Sequence, residues 1–106
     1  MSKIKQLLEV VNKDYLVNYG QDLDNFSNQY IPKNVLSLSN ILETKVIYKY
    51  NVLSNDMLEV FCIVDDTLVM SLDQITKLKS IKSFKNIIFN KDLNIIVFAF
   101  DIPRID

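Results

Sequence analysis

Histidine and tryptophan are absent from this 106-residue chain, and cysteine, glycine, alanine and arginine occur once each. Without histidine the chain lacks the usual general base near neutral pH and the commonest transition-metal ligand. Cys62 stands alone, so no internal disulfide can form, and with no imidazole to activate it the thiol reads as buried and inert. One glycine, Gly20, cannot build a phosphate-binding loop or a dinucleotide fingerprint. The longest apolar run, Ile95 to Phe100, is far shorter than the roughly 20 residues of a membrane helix. Nor do the first residues contain the apolar stretch of a secretory signal. A cytoplasmic protein is expected, with a virion component as the alternative. Carboxylates and lysines are the chemistry that remains, and they predict no enzyme, no cofactor and no metal.

What is present fits one small domain, residues 1–106, with 49% apolar and 24% charged residues. Twelve basic residues against thirteen acidic ones give no net field that would select a polyanion. Isoleucine, asparagine, lysine, tyrosine and phenylalanine abound where alanine, glycine and arginine are scarce. This bias follows AT-rich codons and suggests a low-GC bacterium, its phage or its plasmid.

The pattern predicts an α+β fold in the order α-(α)-β-β-β-α-β-β, an N-terminal amphipathic helix packed on a mainly antiparallel sheet of four to five strands. Ser2 can cap a helix in which Ile4, Leu7, Leu8, Val11 and Tyr15 recur at helical spacing, with Gly20 as its left-handed stop. Residues 21–34 read as a polar loop holding at most one helical turn, and Asn34 to Leu42 as a short helix. Lys45 to Val64 reads as a hairpin turning at Ser54-Asn55-Asp56. That register opposes Val52 to Leu58, Tyr50 to Val60, Tyr48 to Cys62 and Val46 to Val64, an apolar face throughout. Leu68-Val69-Met70 reads as a third strand.

Ser71-Leu72-Asp73-Gln74 has the form of a capping box. The apolar residues after it, Leu72, Ile75, Leu78, Ile81, Phe84 and Ile87, recur every three positions. On a helix of 3.6 residues per turn such a stripe drifts off one face, so the helix should end near Ser80 and give way to strand. The last two strands join at Asn90-Lys91-Asp92. In the second of them Leu93, Ile95, Val97 and Ala99 face one way and Ile96, Phe98 and Phe100 the other, which demands cover on both sides. Ile95 and Val97 should be buried. Phe98 and Phe100 are sealed only if the short helices suffice.

Three groups of residues can carry function. The mixed hairpin face, Ile47, Lys49, Asn51, Glu59, Phe61 and Ile63, is the candidate partner-binding surface, with an open sheet edge beside it. Glu59 should pair with Lys49. Tyr19, Tyr30 and Phe61 are the aromatics expected at the surface. Lys77, Lys79, Lys82 and Lys85, with Lys91 beyond, interleave with aromatics as in some nucleic-acid binders, although arginine, the favoured phosphate and base reader, is nearly absent. Asp65, Asp66 and Asp73 could meet around a hard cation, but a turn and a helix start explain them as well. The functional expectation is a non-enzymatic protein-binding domain, an inhibitor, adaptor or assembly subunit, whose partner is another protein or a second copy. A nucleic-acid-binding accessory protein is the alternative.

Overall fold

Two antiparallel hairpins set the architecture of the computed structural model, which describes residues 19–104. Strands β2 (Ile47–Ser54) and β3 (Met57–Asp65) pair in the register expected from the sequence, Val52 with Leu58, Tyr50 with Val60 and Tyr48 with Cys62. Strands β4 (Phe84–Asn90) and β5 (Ile95–Pro103) form the second hairpin, with Ile87 opposite Phe98 and Ile88 opposite Val97. A two-residue strand, β1 (Gln21–Asp22), completes a five-stranded antiparallel sheet in the order β1-β2-β3-β5-β4.

Four short helices lie among the described residues: α1 (Asn25–Asn28), α2 (Lys33–Leu36), α3 (Leu38–Leu42) and α4 (Leu72–Lys79). The helix expected at Asn34–Leu42 is thus two, with Ser37 between them. The capping box at Ser71 is present in full: Gln74 N–H donates to Ser71 Oγ at 3.2 Å, and Ser71 N–H donates to Gln74 Oε1 at 2.8 Å. Helix α4 stops before Ser80, as the three-residue repeat requires. The drift of that repeat is visible along the helix, where Leu72 is 80% exposed and Leu78 is fully buried.

The main core lies on one sheet face. Leu58, Val60, Cys62, Ile96, Phe98, Phe100 and Ile102 meet Val35, Leu38 and Leu42 of α2 and α3, with Leu78 and Ile81 from α4 and its exit. On the opposite face Phe61, Ile63, Leu93, Ile95, Val97 and Ala99 form a second buried cluster, against which Tyr19, Ile47 and Ile88 pack. Phe98 and Phe100 are both fully buried, so the short helices do suffice on their side. No shortfall of cover is left on that face to mark a docking site.

Two strand expectations are corrected. Leu68-Val69-Met70 is not a strand, because β3 already has β2 on one side and β5 on the other and leaves no edge to join. After Asp65 the chain turns sharply, with Thr67 N–H and Oγ1–H both donating to Asp65 Oδ1, and crosses the helical face to α4. The place of that strand is taken by β1, whose two polar residues carry no periodic signal. The second hairpin also turns later than expected: Asn90 pairs with Ile95, and Asn94 takes a left-handed conformation. The predicted helix Ser2–Tyr19 lies outside the described residues except for Tyr19. Its proposed stop, Gly20, has φ +100° and lies so close to β2 that a Cβ would stand 2.2 Å from the Tyr50 carbonyl oxygen.

Gly20→Ala should therefore destabilise by more than about 1 kcal/mol, and Phe98→Ala by about 3–5 kcal/mol through the cavity it leaves. Val69→Ala, at a side chain 88% exposed, should change stability by less than about 0.5 kcal/mol. Urea unfolding of the three variants checks the ranking.

Candidate functional site

The hairpin register places the six candidate partner-binding residues on one sheet face, with Ile47 opposite Ile63, Lys49 opposite Phe61 and Asn51 opposite Glu59. Their exposure is uneven. Phe61 and Ile63 are buried in the second cluster, and Tyr19 packs edge-on against Phe61 with ring centroids 5.7 Å apart. Asn90 Nδ2–H donates to the Tyr19 hydroxyl at 2.6 Å, which ties Tyr19 to the end of β4. Lys49 is buried as well, its Nζ 2.9 Å from Asp22 Oδ1 on β1. The middle of this face is therefore closed to a partner, and Phe61 is not among the exposed aromatics. Tyr19 and Tyr30 are half-buried, whereas Phe26 and Phe89 reach the surface.

The ion pairs also differ from expectation. Glu59 pairs with Lys85, Nζ to Oε2 at 3.0 Å, and not with Lys49, which β1 has captured. Asp101, opposite Glu59 in the ladder, lies 3.6 Å from the same Lys85 Nζ. Glu59, followed by Asp101, holds the Lys85 ammonium above its usual pKa. Asp101 Oδ1 is buried and accepts no hydrogen bond from the described residues. One lysine thus serves two carboxylates at this end of the sheet.

Of the lysines proposed to contact nucleic acid, Lys77 and Lys79 stand on α4 in the helical layer, and Lys77 pairs with Asp73 at 3.1 Å. Lys85 points to the opposite sheet face, where Glu59 and Asp101 lie. Lys82 falls between, beside an open groove that Pro32, Asn34, Ile81, Ser83, Asp101 and Pro103 also line. The sheet separates Lys85 from Lys77 and Lys79, so the four lysines do not form one patch. The acidic trio is apart as well: Asp65 is buried in its turn with Thr67, and Asp73 is occupied by Lys77. Among the described residues no three acidic or cysteine side chains are grouped to hold a metal ion. Burial pushes the Cys62 thiol far up, so it stays protonated at any ordinary pH.

The surface that the sequence reading did not single out is apolar. Strand β4 is an edge strand, and its outer side pairs with no described strand. Phe89, near its end, is 71% exposed. Asn90 pairs with Ile95 and Ile95 with Asp65, so β3 ends, and the connection carrying Val69 begins, at the same end as Phe89. The start of α4 with Leu72 is tied to α3 by Gln74 Nε2–H donating to the Ile41 carbonyl at 3.0 Å. Val69 and Leu72 are both exposed too. A strand run of Ile87-Ile88-Phe89 was legible in the sequence, but its position at the edge depends on strand order, which the sequence does not carry. No protein-family model, curated protein or solved structure matches this chain. No described helix is long and apolar enough to cross a membrane.

One titration follows from the core-facing tyrosines. Tyr48 Oη–H donates to the Leu36 carbonyl at 2.7 Å, and burial, with a smaller contribution from Cys62, pushes its pKa up to about 12. An acid whose folded pKa is raised stabilises the fold below its unfolded value near 10 and loses that contribution as pH climbs towards 12. Unfolding free energy should fall between pH 10 and pH 12. Tyr48→Phe should cost about 1 kcal/mol at pH 8 and flatten the alkaline decline, measured by urea titrations at both ends.

Proposed function

We propose that this chain is a non-enzymatic protein-binding domain that recruits its partner through the open edge of its sheet. The observation that carries this reading is the outer side of the seven-residue strand β4, which pairs with no described strand and has Phe89 exposed beside it. An edge of this kind offers a row of unused N–H and C=O groups to an added strand, and flanking apolar side chains supply selectivity. An inhibitor, adaptor or assembly subunit needs no more than this, and the lack of histidine and of a metal-binding group among the described residues leaves little for catalysis. The mixed hairpin face serves a different end in this reading. Its centre is filled by Phe61, Ile63, Leu93, Ile95, Val97 and Ala99, with Tyr19, Ile47 and Ile88 packed against them, and so offers a partner little. In this reading the chain acts in the cytoplasm, or in a virion if it is phage-encoded.

Capture experiments with wild type and Phe89→Asp test the edge directly. A partner should be retained by wild type and lost with Phe89→Asp, while both keep the same circular dichroism spectrum because Phe89 is exposed. Equal capture by the two proteins would sink the reading. The nucleic-acid alternative expects binding that weakens steeply with salt, and a blank low-salt gel shift with single- and double-stranded DNA and RNA removes it.

A further inference from the structure

We infer that the strand received by β4 is β4 of a second copy, so that the chain forms a two-fold dimer with one sheet running through both subunits. This inference rests on the edge-binding reading above and adds the identity of the occupant. Its basis is the side-chain pattern of the strand. The ladder with β5 puts Phe84, Ile87 and Phe89 on the helical face, and Asn86, Ile88 and Asn90 on the other. When two copies of β4 run antiparallel about a two-fold axis at Ile88, each residue meets one on the same face. Ile88 then opposes Ile88, Ile87 opposes Phe89 twice over, and Asn86 opposes Asn90 twice over. Apolar meets apolar and polar meets polar at every position from 86 to 90. Aromatic and β-branched residues directly opposite one another are the favourable cross-strand pairs. Moving the axis to Ile87 would set Phe89 against Lys85 and Ile88 against Asn86, so the pattern selects one register.

The usual protections of an edge are missing from this half of the strand. It contains no proline, and its only irregularity lies earlier, between Phe84 and Asn86. Its one charge, Lys85, is drawn back over its own sheet by Glu59 and Asp101. Beyond the matched positions the register sets Lys91 of the second copy level with Lys85, a like-charge pair that is eased because Glu59 and Asp101 draw Lys85 back over its own sheet.

Sedimentation equilibrium from micromolar to near-millimolar concentration, combined with cysteine cross-linking, tests the dimer and its register. Wild type should sediment as a dimer, and Phe89→Asp should raise the dissociation constant by about tenfold, since two aromatic–aliphatic pairs are lost together. Ile88→Cys should oxidise to a covalent dimer, because directly opposite residues bring Cα atoms to about 4.5–5.5 Å, within disulfide range. Asn86→Cys should not, because its counterpart lies four residues along, about 13 Å away. Cys62 is buried, so wild type should give no covalent dimer under the same conditions. A monomer throughout the concentration range overturns the proposal, and so does a dimer that cross-links through Asn86→Cys but not through Ile88→Cys. If wild type is monomeric yet loses a captured protein on Phe89→Asp, self-pairing fails and the edge-binding reading survives. If wild type neither dimerises nor captures, both fall.

Discussion

Strand β5 carries apolar side chains on both faces, and the rest of the molecule is arranged to keep water from each. Ile96, Phe98, Phe100 and Ile102 need a helical layer on one side, while Ile95, Val97 and Ala99 need cover on the other. A strand with this demand cannot sit at an edge, where one flank would also expose its backbone. It lies between β3 and β4, with its ladder filled on both sides. Strand β3 shares the burden: Val60, Cys62 and Val64 join the main core, and Phe61 and Ile63 join the second. The central pair of strands is therefore the dry middle of the domain, and polarity is pushed outward to β1, β4 and the loops.

Much of this was legible in period and punctuation. The β2–β3 register followed from the requirement that apolar residues oppose one another, and a shift of one position would have turned Tyr50 and Cys62 towards the wrong face. The start of α4 was marked by a capping box and its end by a stripe that outruns the helical period. Legibility failed where structure is set by neighbours. Leu68-Val69-Met70 has strand-like residues but follows β3, whose two flanks are already taken by β2 and β5. Gln21-Asp22 lacks strand character and pairs nonetheless, because Gly20 allows the chain to lie against Tyr50.

The burial of the candidate face was hidden from sequence for the same reason. A mixed face reads as wet from sequence, since Lys49 and Glu59 stand on it. In the fold those charges are answered locally, Lys49 by Asp22 and Glu59 by Lys85, and the apolar centre between them is closed. Pairings across 26 residues, such as Lys85 with Glu59, depend on strand order and cannot be read from spacing. Exposure moved instead to Phe89, Val69 and Leu72, which belong to apolar stretches that look like core in one dimension.

The two edges of the sheet are treated differently, and that difference carries the functional argument. On the β2 side the edge is covered for part of its length by β1, held by the Asp22–Lys49 pair, and the ladder is irregular between Val52 and Ser54 where that cover ends. A short polar strand followed by an irregularity is how sheets commonly discourage unwanted pairing. On the β4 side the irregularity is at the beginning, the lysine is turned inward, and Ile87, Ile88 and Phe89 follow in a regular ladder. A chain that blocks one edge and leaves the other apolar, regular and complementary to itself would aggregate without limit only if a third strand could be added. Pairing about a two-fold axis consumes both copies of the open edge at once and leaves only the protected edges outside. The asymmetry is thus what a closed assembly requires, since one adhesive edge per subunit stops at two.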